Sequence, residues 1–173
     1  METVTPDQYA MPTPCASWTI RDLVNHMCEG ANWVGLSVDA GKAPEPDPTH
    51  GVDYAAGDVL ASYDTGVKGT LAAFEAAGDK PVELPFGTLP ATVFMGIATT
   101  DHFTHAWDLA TATGQDANLD PALASRLLDG AKLVIADAFR GPEGSGAPFG
   151  AEQQAPAGSS AAAQLAAFLG RAV

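Results

Sequence analysis

Apolar residues recur at helical spacing along this chain, and this periodicity restricts the possible fold more than any other feature. The segment 17–40 shows it most clearly, because its apolar positions follow the i, i+3, i+4, i+7 order of one buried helix face. These positions are Ile20, Leu23, Val24, Met27 and Ala31. Thr19 precedes the face as a candidate N-cap, with Asp22 three residues later. We therefore expect a first amphipathic helix in this segment.

Four further helices are predicted from the same periodicity and from cap residues. They cover residues 53–77, 91–113, 121–139 and 161–171. One side of the second is predicted to be buried, and it consists of Ala56, Leu60, Tyr63, Val67, Leu71 and Phe74. Gly and Pro interrupt the chain at 41–51 and 77–90, where a short hairpin is expected over 82–89. The expected fold class is all-α: one helical-bundle domain over residues 1–173, with an irregular insert, a short hairpin and a short C-terminal helix.

The charge balance excludes two classes of partner. The chain has 21 acidic and 8 basic side chains and a formal charge of −13, whereas phosphate backbones and anionic membranes attract clustered Lys and Arg. We therefore expect neither nucleic acid nor a membrane as partner. No secretory leader or membrane-length apolar run is apparent, so a cytoplasmic location is expected. The two cysteines, Cys15 and Cys28, match no disulfide or zinc-knuckle framework, and Cys15 is expected only to pack in a turn.

A carboxylate and an imidazole fall on the apolar face of the helix predicted over 91–113. Asp101 and His105 are one turn apart and share the face of Phe94. Burying an ionised carboxylate costs several kcal/mol unless it is paired or bound to a cation. The pair is therefore either an Asp–His hydrogen bond across one turn or two metal ligands at i, i+4 spacing. Asp108 is expected either to hold the ring of His105 or to cap a neighbouring helix.

A metal site needs a third ligand, and His26 on the first helix is the candidate. It flanks the buried face, a position at which a histidine is more often a partly buried surface residue. Together with Asp101 and His105, it would supply two imidazoles and one carboxylate and leave positions open for water or substrate, as in catalytic zinc and facial-triad iron sites. We expect a divalent metal at these three residues, zinc before nickel or iron.

A small-molecule substrate pocket is expected beside this metal. Trp33 and Phe94 are its predicted lining, the segment 84–90 with Phe86 its predicted roof, and His102 a further candidate. An aromatic residue at helical spacing is more often part of the core than of a pocket, so core packing of Trp33 and Phe94 is the alternative.

Four motifs of the chain occur together in a known family. They are TPCASWTIRDLVNH (13–26), LPFGTLPA (84–91), DHFTHAWDLATATGQ (101–115) and PFGAEQQAPAGSSAAAQLAAFLGR (148–171). The chain resembles actinobacterial metal-binding proteins of the DinB-like superfamily, which are similar to the N-terminal domain of mycothiol-dependent maleylpyruvate isomerase. The resemblance implies a four-helix bundle with a divalent metal at the positions of His26, Asp101 and His105.

The resemblance also implies a reaction class. In such proteins the metal binds a low-molecular-weight thiol, such as mycothiol, as thiolate and presents it to an electrophile. The expected function is accordingly a metal-dependent thiol transferase or isomerase acting on a small electrophilic substrate. The alternatives are a non-catalytic small-molecule or metal-binding module, a metal-dependent enzyme of specialised metabolism that uses no thiol, and a metal-water hydrolase.

One departure from the family bears on assembly. Its members carry a helix before the T-P-C-x-x-W segment, whereas 12 residues precede Thr13 in this sequence. The first bundle helix is therefore expected to be missing, shortened or supplied by another chain. Because an uncovered apolar face costs on the order of 25 cal/mol per Å², a homodimer is expected.

Overall fold

A computed structural model describes residues 1, 4–15, 17–142, 145 and 147–173. This part of the chain is mostly helical, and its helices are α1 (Ile20–Ala40), α2 (Val59–Ala77), α3 (Ala91–Ala112), α4 (Pro121–Val134) and α5 (Ala161–Phe168). A hairpin of β1 (Pro81–Leu84) and β2 (Gly87–Pro90) precedes α3. None of the helices in the described segments has the length and apolar character that a membrane span requires. The mostly helical fold with a small hairpin is confirmed, whereas the four-helix bundle and the homodimer stay predictions.

The chain divides into two compact units. The first combines Met1–Val4 with Arg21–Ala98, and the second combines Thr5–Ile20 with Thr99–Val173. Each unit has its own cluster of buried apolar side chains. The predicted metal ligands are therefore distributed over both units, with His26 in the first and Asp101 and His105 in the second.

In the first unit, α1 and α2 pack closely because small residues line their contact. All five apolar positions predicted for the face of α1 are buried. A Cβ placed on Gly66 of α2 would lie 2.8 Å from Asn32 Nδ2 and 3.0 Å from Ala31 Cβ. Farther along α2, Thr70 donates a hydrogen bond to the carbonyl of Ala31. The two helices thus approach so closely that a Cβ at position 66 would force Asn32 and Ala31 to shift.

The hairpin completes the core of this unit. Val82 pairs with Leu89 and Leu84 pairs with Gly87 in antiparallel register. Val82 and Leu84 point inward, while Pro81 and Glu83 alternate outward. The buried cluster that they join consists of Val34, Val38, Ala73, Val82, Leu84, Ala91 and Phe94.

In the second unit, α4 and α5 pack together with the later part of α3. The buried residues are Phe103, Trp107, Ala124, Leu128, Ala131, Ala162, Leu165, Ala166, Phe168 and Leu169. Asp120 caps α4 by accepting hydrogen bonds from the backbone N–H groups of Ala122 and Leu123. Ser160 caps α5 in the same way, accepting from Ala163.

Three predicted helix boundaries were wrong, among them the end of α5, which lies at Phe168 and not at residue 171. The helix expected from residue 53 begins at Val59, because Asp58 is its N-cap and accepts a hydrogen bond from the N–H of Ala61. The helix expected to reach residue 139 ends at Val134, and Ile135 has extended backbone angles. Consecutive β-branched residues at this end have a low helix propensity, which accounts for the early stop.

The apolar side predicted for α2 was wrong in part. Leu60 and Leu71, both assigned to that side, are 39% and 57% exposed. The fully buried positions of α2 are Gly66 and Ala73 instead. Phe74, from the predicted side, packs against the buried cluster of the first unit, so that side is packed in part and exposed at Leu60 and Leu71.

The close contact of α1 and α2 predicts a large difference between two glycines of the same helix. Gly66→Val should lower the free energy of unfolding by about 2 kcal/mol, since added methyl groups in a packed contact force the helices apart. Gly69→Val is the control, because a Cβ at Gly69 meets no atom within 4 Å. Urea unfolding of both variants measures the difference, and equal stability of the two would contradict this account of the contact.

Candidate metal centre

Asp101 and His105 come together on one face of α3. They are four residues apart, and Nε2 of His105 lies 3.4 Å from Oδ1 of Asp101. The His105 side chain is buried, at 6% exposure. The predicted pairing of these two side chains across one helical turn is therefore present.

The burial that we expected for the Asp101 carboxylate was wrong. The Asp101 side chain is 41% exposed, so water relieves most of the burial cost that its position was expected to carry. The carboxylate without any exposure is that of Asp108. The cost of burying a charged carboxylate, which we expected at Asp101, therefore applies to Asp108.

Asp108 holds the ring of His105, which was one of the two roles expected for it. Nδ1 of His105 donates a hydrogen bond to Oδ2 of Asp108 at 3.0 Å. Arg171 binds the same carboxylate with two bonds, Nη2 to Oδ2 at 3.0 Å and Nε to Oδ1 at 3.3 Å. Arg171 was not predicted as part of the site. A buried carboxylate signals a nearby cation, but spacing along a helix cannot reveal a partner 63 residues away.

Trp18 covers the ring of His105. The two rings are stacked, with centroids 5.5 Å apart and planes inclined by 16°. A short turn places the indole: the N–H of Trp18 donates to the carbonyl of Cys15, and the N–H of Thr13 donates to the carbonyl of Trp18. Ser17, directly before it, has φ 59°, a left-handed conformation that costs energy in a residue with a Cβ. The turn thus holds Trp18 in one orientation.

The surroundings of His105 determine its charge. Burial alone would lower its pKa, but the hydrogen bonds and charges of Asp101 and Asp108 outweigh burial and raise the pKa to about 9. Burial also opposes the charge of Arg171, and Asp108 again outweighs it, so that the pKa of the guanidinium is raised. Without a metal, the imidazolium and the guanidinium both balance Asp108 near neutral pH.

Cys15 lies closer to this cluster than its predicted packing role implied. Its Sγ, a ring nitrogen of His105 and a carboxylate oxygen of Asp108 all lie within 4.8 Å of one another. These three donors are a poor metal site, because both oxygens of Asp108 already bind Arg171. A cation placed there would be repelled by the guanidinium. Nε2 of His105, facing Asp101, is the better-placed donor.

His26 lies on α1, within the first unit, and is half-buried. Its participation with Asp101 and His105 stays a prediction. His102 is next to this pair, with Nδ1 3.4 Å from Oδ2 of Asp101 and a side chain 22% exposed.

The residues predicted to line the pocket in the first unit differ in their exposure. The rings of Trp33 and Phe94 are in edge contact, with centroids 5.8 Å apart, and Phe94 is only 2% exposed within the core. Phe86 is 59% exposed at the turn of the hairpin. The substrate pocket itself stays a prediction.

These features define a mostly helical protein whose third helix brings together the side chains of Asp101, His105 and Asp108. The hydrogen bond from His105 Nδ1–H to Asp108 is one that metal-binding histidines commonly make with the ring nitrogen that does not bind the metal. Residues 1–110 match the family described as mycothiol maleylpyruvate isomerase N-terminal domain, and the chain belongs to this family.

Two relatives from Mycobacterium tuberculosis match nearly the whole chain. They are the uncharacterized proteins Rv0738 of strain H37Rv and MT0763 of strain CDC 1551. Each is 42% identical over 169 residues, covering 96% of this chain and 87% of the relative. No solved structure matches the chain significantly.

The raised pKa of His105 predicts how the stability of the metal-free protein depends on pH. The folded-state pKa is about 9, above the value of about 6.5 for an unfolded histidine. The stabilisation is therefore fully present below about pH 6.5 and is lost as the pH rises to about 9, amounting to about 3 kcal/mol. Urea unfolding with a chelator present, for the natural protein and His105→Gln, measures it. A stability difference that stays constant from pH 6 to pH 10 would contradict the prediction.

Proposed function

We propose that this protein is a metal-dependent thiol transferase or isomerase that acts on a small electrophilic substrate, with a mycothiol-type thiolate as the nucleophile. Its metal is a divalent ion, zinc before nickel or iron, held by His26, Asp101 and His105. The family match over residues 1–110 supports the mycothiol-related class.

One observation carries the metal site: the orientation of His105. Its Nδ1–H is bound to Asp108, so the ring presents Nε2 on the side of the Asp101 carboxylate. An outer carboxylate that fixes the tautomer in this way raises the basicity of the remaining nitrogen. The donors also fit zinc, which binds imidazole and carboxylate together. His26 is included because the family motif places a ligand at its position.

Each residue around the site has a separate role in the proposed thiol chemistry. A divalent ion bound there supplies Lewis acidity, which lowers the pKa of a coordinating thiol until it is deprotonated. Asp101 and His105 contribute one carboxylate and one neutral imidazole, so the centre keeps a net positive charge that favours an anionic sulfur. Trp18, stacked on His105, excludes water from one face of the ring. Asp108 keeps the imidazole from rotating.

Two other functions use the same residues. A non-catalytic module would bind metal or a small molecule without turnover, and a metal-dependent enzyme of specialised metabolism would act without a thiol. Stoichiometric metal is compatible with all three functions, so metal content alone does not separate them. Thiol turnover separates the first from the other two.

Substitution of single ligands tests the site. His105→Ala and His26→Ala should each reduce metal from one ion per chain to near zero, because two remaining donors hold a divalent ion weakly. His50→Ala is the control, since His50 is an exposed histidine that contacts Glu29. Elemental analysis of the purified proteins gives the metal content. A full equivalent of metal in both ligand variants would refute the ligand set.

The thiol reaction is tested directly with mycothiol and a chromogenic electrophile, such as an activated aryl halide. We expect turnover that a chelator abolishes, that zinc restores and that His105→Ala lacks. Consumption of both thiol and electrophile is followed by absorbance and by mass spectrometry of the conjugate. Stoichiometric metal without thiol-dependent turnover would instead favour one of the two other functions.

A further inference from the structure

We propose that Arg171 is a positioning residue for the metal ligand His105 and that it acts through Asp108. The inference rests on the proposed function for the metal itself, but it concerns contacts within the second unit. Arg171 lies outside residues 1–110, the part of the chain that matches the family. The residues after α5 would thus control a ligand on α3.

The geometry couples Arg171 to His105 through a shared atom. Oδ2 of Asp108 accepts from Nδ1 of His105 at 3.0 Å and from Nη2 of Arg171 at 3.0 Å. Nε of Arg171 binds the other oxygen, so the guanidinium grips the carboxylate with two bonds. Asp108 cannot rotate toward or away from His105 without breaking a bond to Arg171.

Arg171 is itself held in place by the backbone around it. Its Nη1 donates to the carbonyl of Leu169 at 3.1 Å, and its N–H donates to the carbonyl of Ala166 at 3.0 Å. Gly170, with φ 96°, packs so closely that a Cβ there would lie 2.8 Å from Cα of Gly150. The Arg171 side chain is only 11% exposed. The guanidinium is therefore held in a fixed position beside Asp108 and is not a mobile surface charge.

Removing Arg171 would leave Asp108 buried with His105 as its remaining cationic partner. A bidentate guanidinium fixes the carboxylate plane, whereas one hydrogen bond leaves it free to turn. We expect the Nδ1–H bond of His105 to loosen and its Nε2 to lose its fixed direction. Loss of such an outer-shell contact typically weakens metal binding by about 10–100-fold.

Arg140 provides the matched control. It also anchors the segment around α5, donating to the carbonyls of Gly150 at 3.1 Å and Phe168 at 2.8 Å. Its guanidinium lies 4.6 Å from the ring centroid of Phe168. No described contact joins Arg140 to Asp108. A purely structural contribution of an arginine in this segment should therefore appear equally in Arg140→Gln.

The experiment compares Arg171→Gln, Arg171→Lys and Arg140→Gln by two measurements on the full chain. Zinc affinity is measured by competition with a chromophoric chelator. The hydrogen-bonded Nδ1–H proton of His105 is followed by NMR in the metal-free protein, with His105→Gln for assignment. We expect Arg171→Gln to weaken zinc binding about 10–100-fold and to broaden the Nδ1–H resonance by faster exchange. Arg171→Lys keeps the positive charge but cannot bind the carboxylate with two parallel hydrogen bonds. It should therefore restore part of the zinc affinity and part of the sharpness of the Nδ1–H resonance. Arg140→Gln should change neither, even if it lowers the melting temperature.

The two measurements separate this inference from the proposed function. Unchanged zinc affinity and an unchanged Nδ1–H resonance in Arg171→Gln would overturn the inference while leaving the metal site intact. Absence of zinc binding in the natural protein would refute the proposed function, and the NMR comparison would still decide whether Arg171 positions His105. If Arg171→Gln does not fold, Arg171→Lys decides both readouts, and values equal to those of the natural protein would overturn the inference.

Discussion

The ionised carboxylate of Asp108, buried without exposure, is the constraint on which the second unit depends. An unpaired charge in that position would destabilise the fold by several kcal/mol. The protein meets the demand with two cationic groups, Arg171 from the segment after α5 and His105 from α3. Because both must reach one carboxylate, the folding of α5 and the orientation of the imidazole are parts of a single arrangement. The buried carboxylate of Asp108 also fixes the orientation of the His105 ring through its hydrogen bond to Nδ1.

The orientation of the His105 ring determines which of its nitrogens is available to bind a metal. Hydrogen bonding of Nδ1 leaves Nε2 as the donor of His105, and Nε2 faces the half-exposed Asp101. One side chain of the pair is thus rigid and buried, while the other is open to solvent. Such a combination suits a centre that must hold an ion firmly and still admit a small molecule.

Local patterns in the sequence predicted α1, the hairpin, α3 and the Asp101–His105 pair, since each depends on residues within a few turns of one another. The prediction for α2 was wrong in part, because glycine at position 66 carries no apolar signal although it lies in the close contact with α1. The role of Arg171 was missed because its partner is 63 residues away. The proximity of Cys15 and Trp18 to His105 likewise depends on a turn held by backbone hydrogen bonds. His26 and the aromatic pocket stay predictions, since the contacts that would establish them reach beyond a single helix.

The stack of Trp18 on His105 has an optical consequence. An imidazolium against an indole quenches its fluorescence by accepting an electron from the excited ring, whereas a neutral imidazole quenches far less. Any event that removes the proton from His105, including coordination of a metal, should therefore brighten Trp18. Trp33 and Trp107 also emit, so the change at Trp18 is measured against their emission. The protein thus contains an intrinsic emission signal for the state of its candidate metal ligand, without an added dye or label.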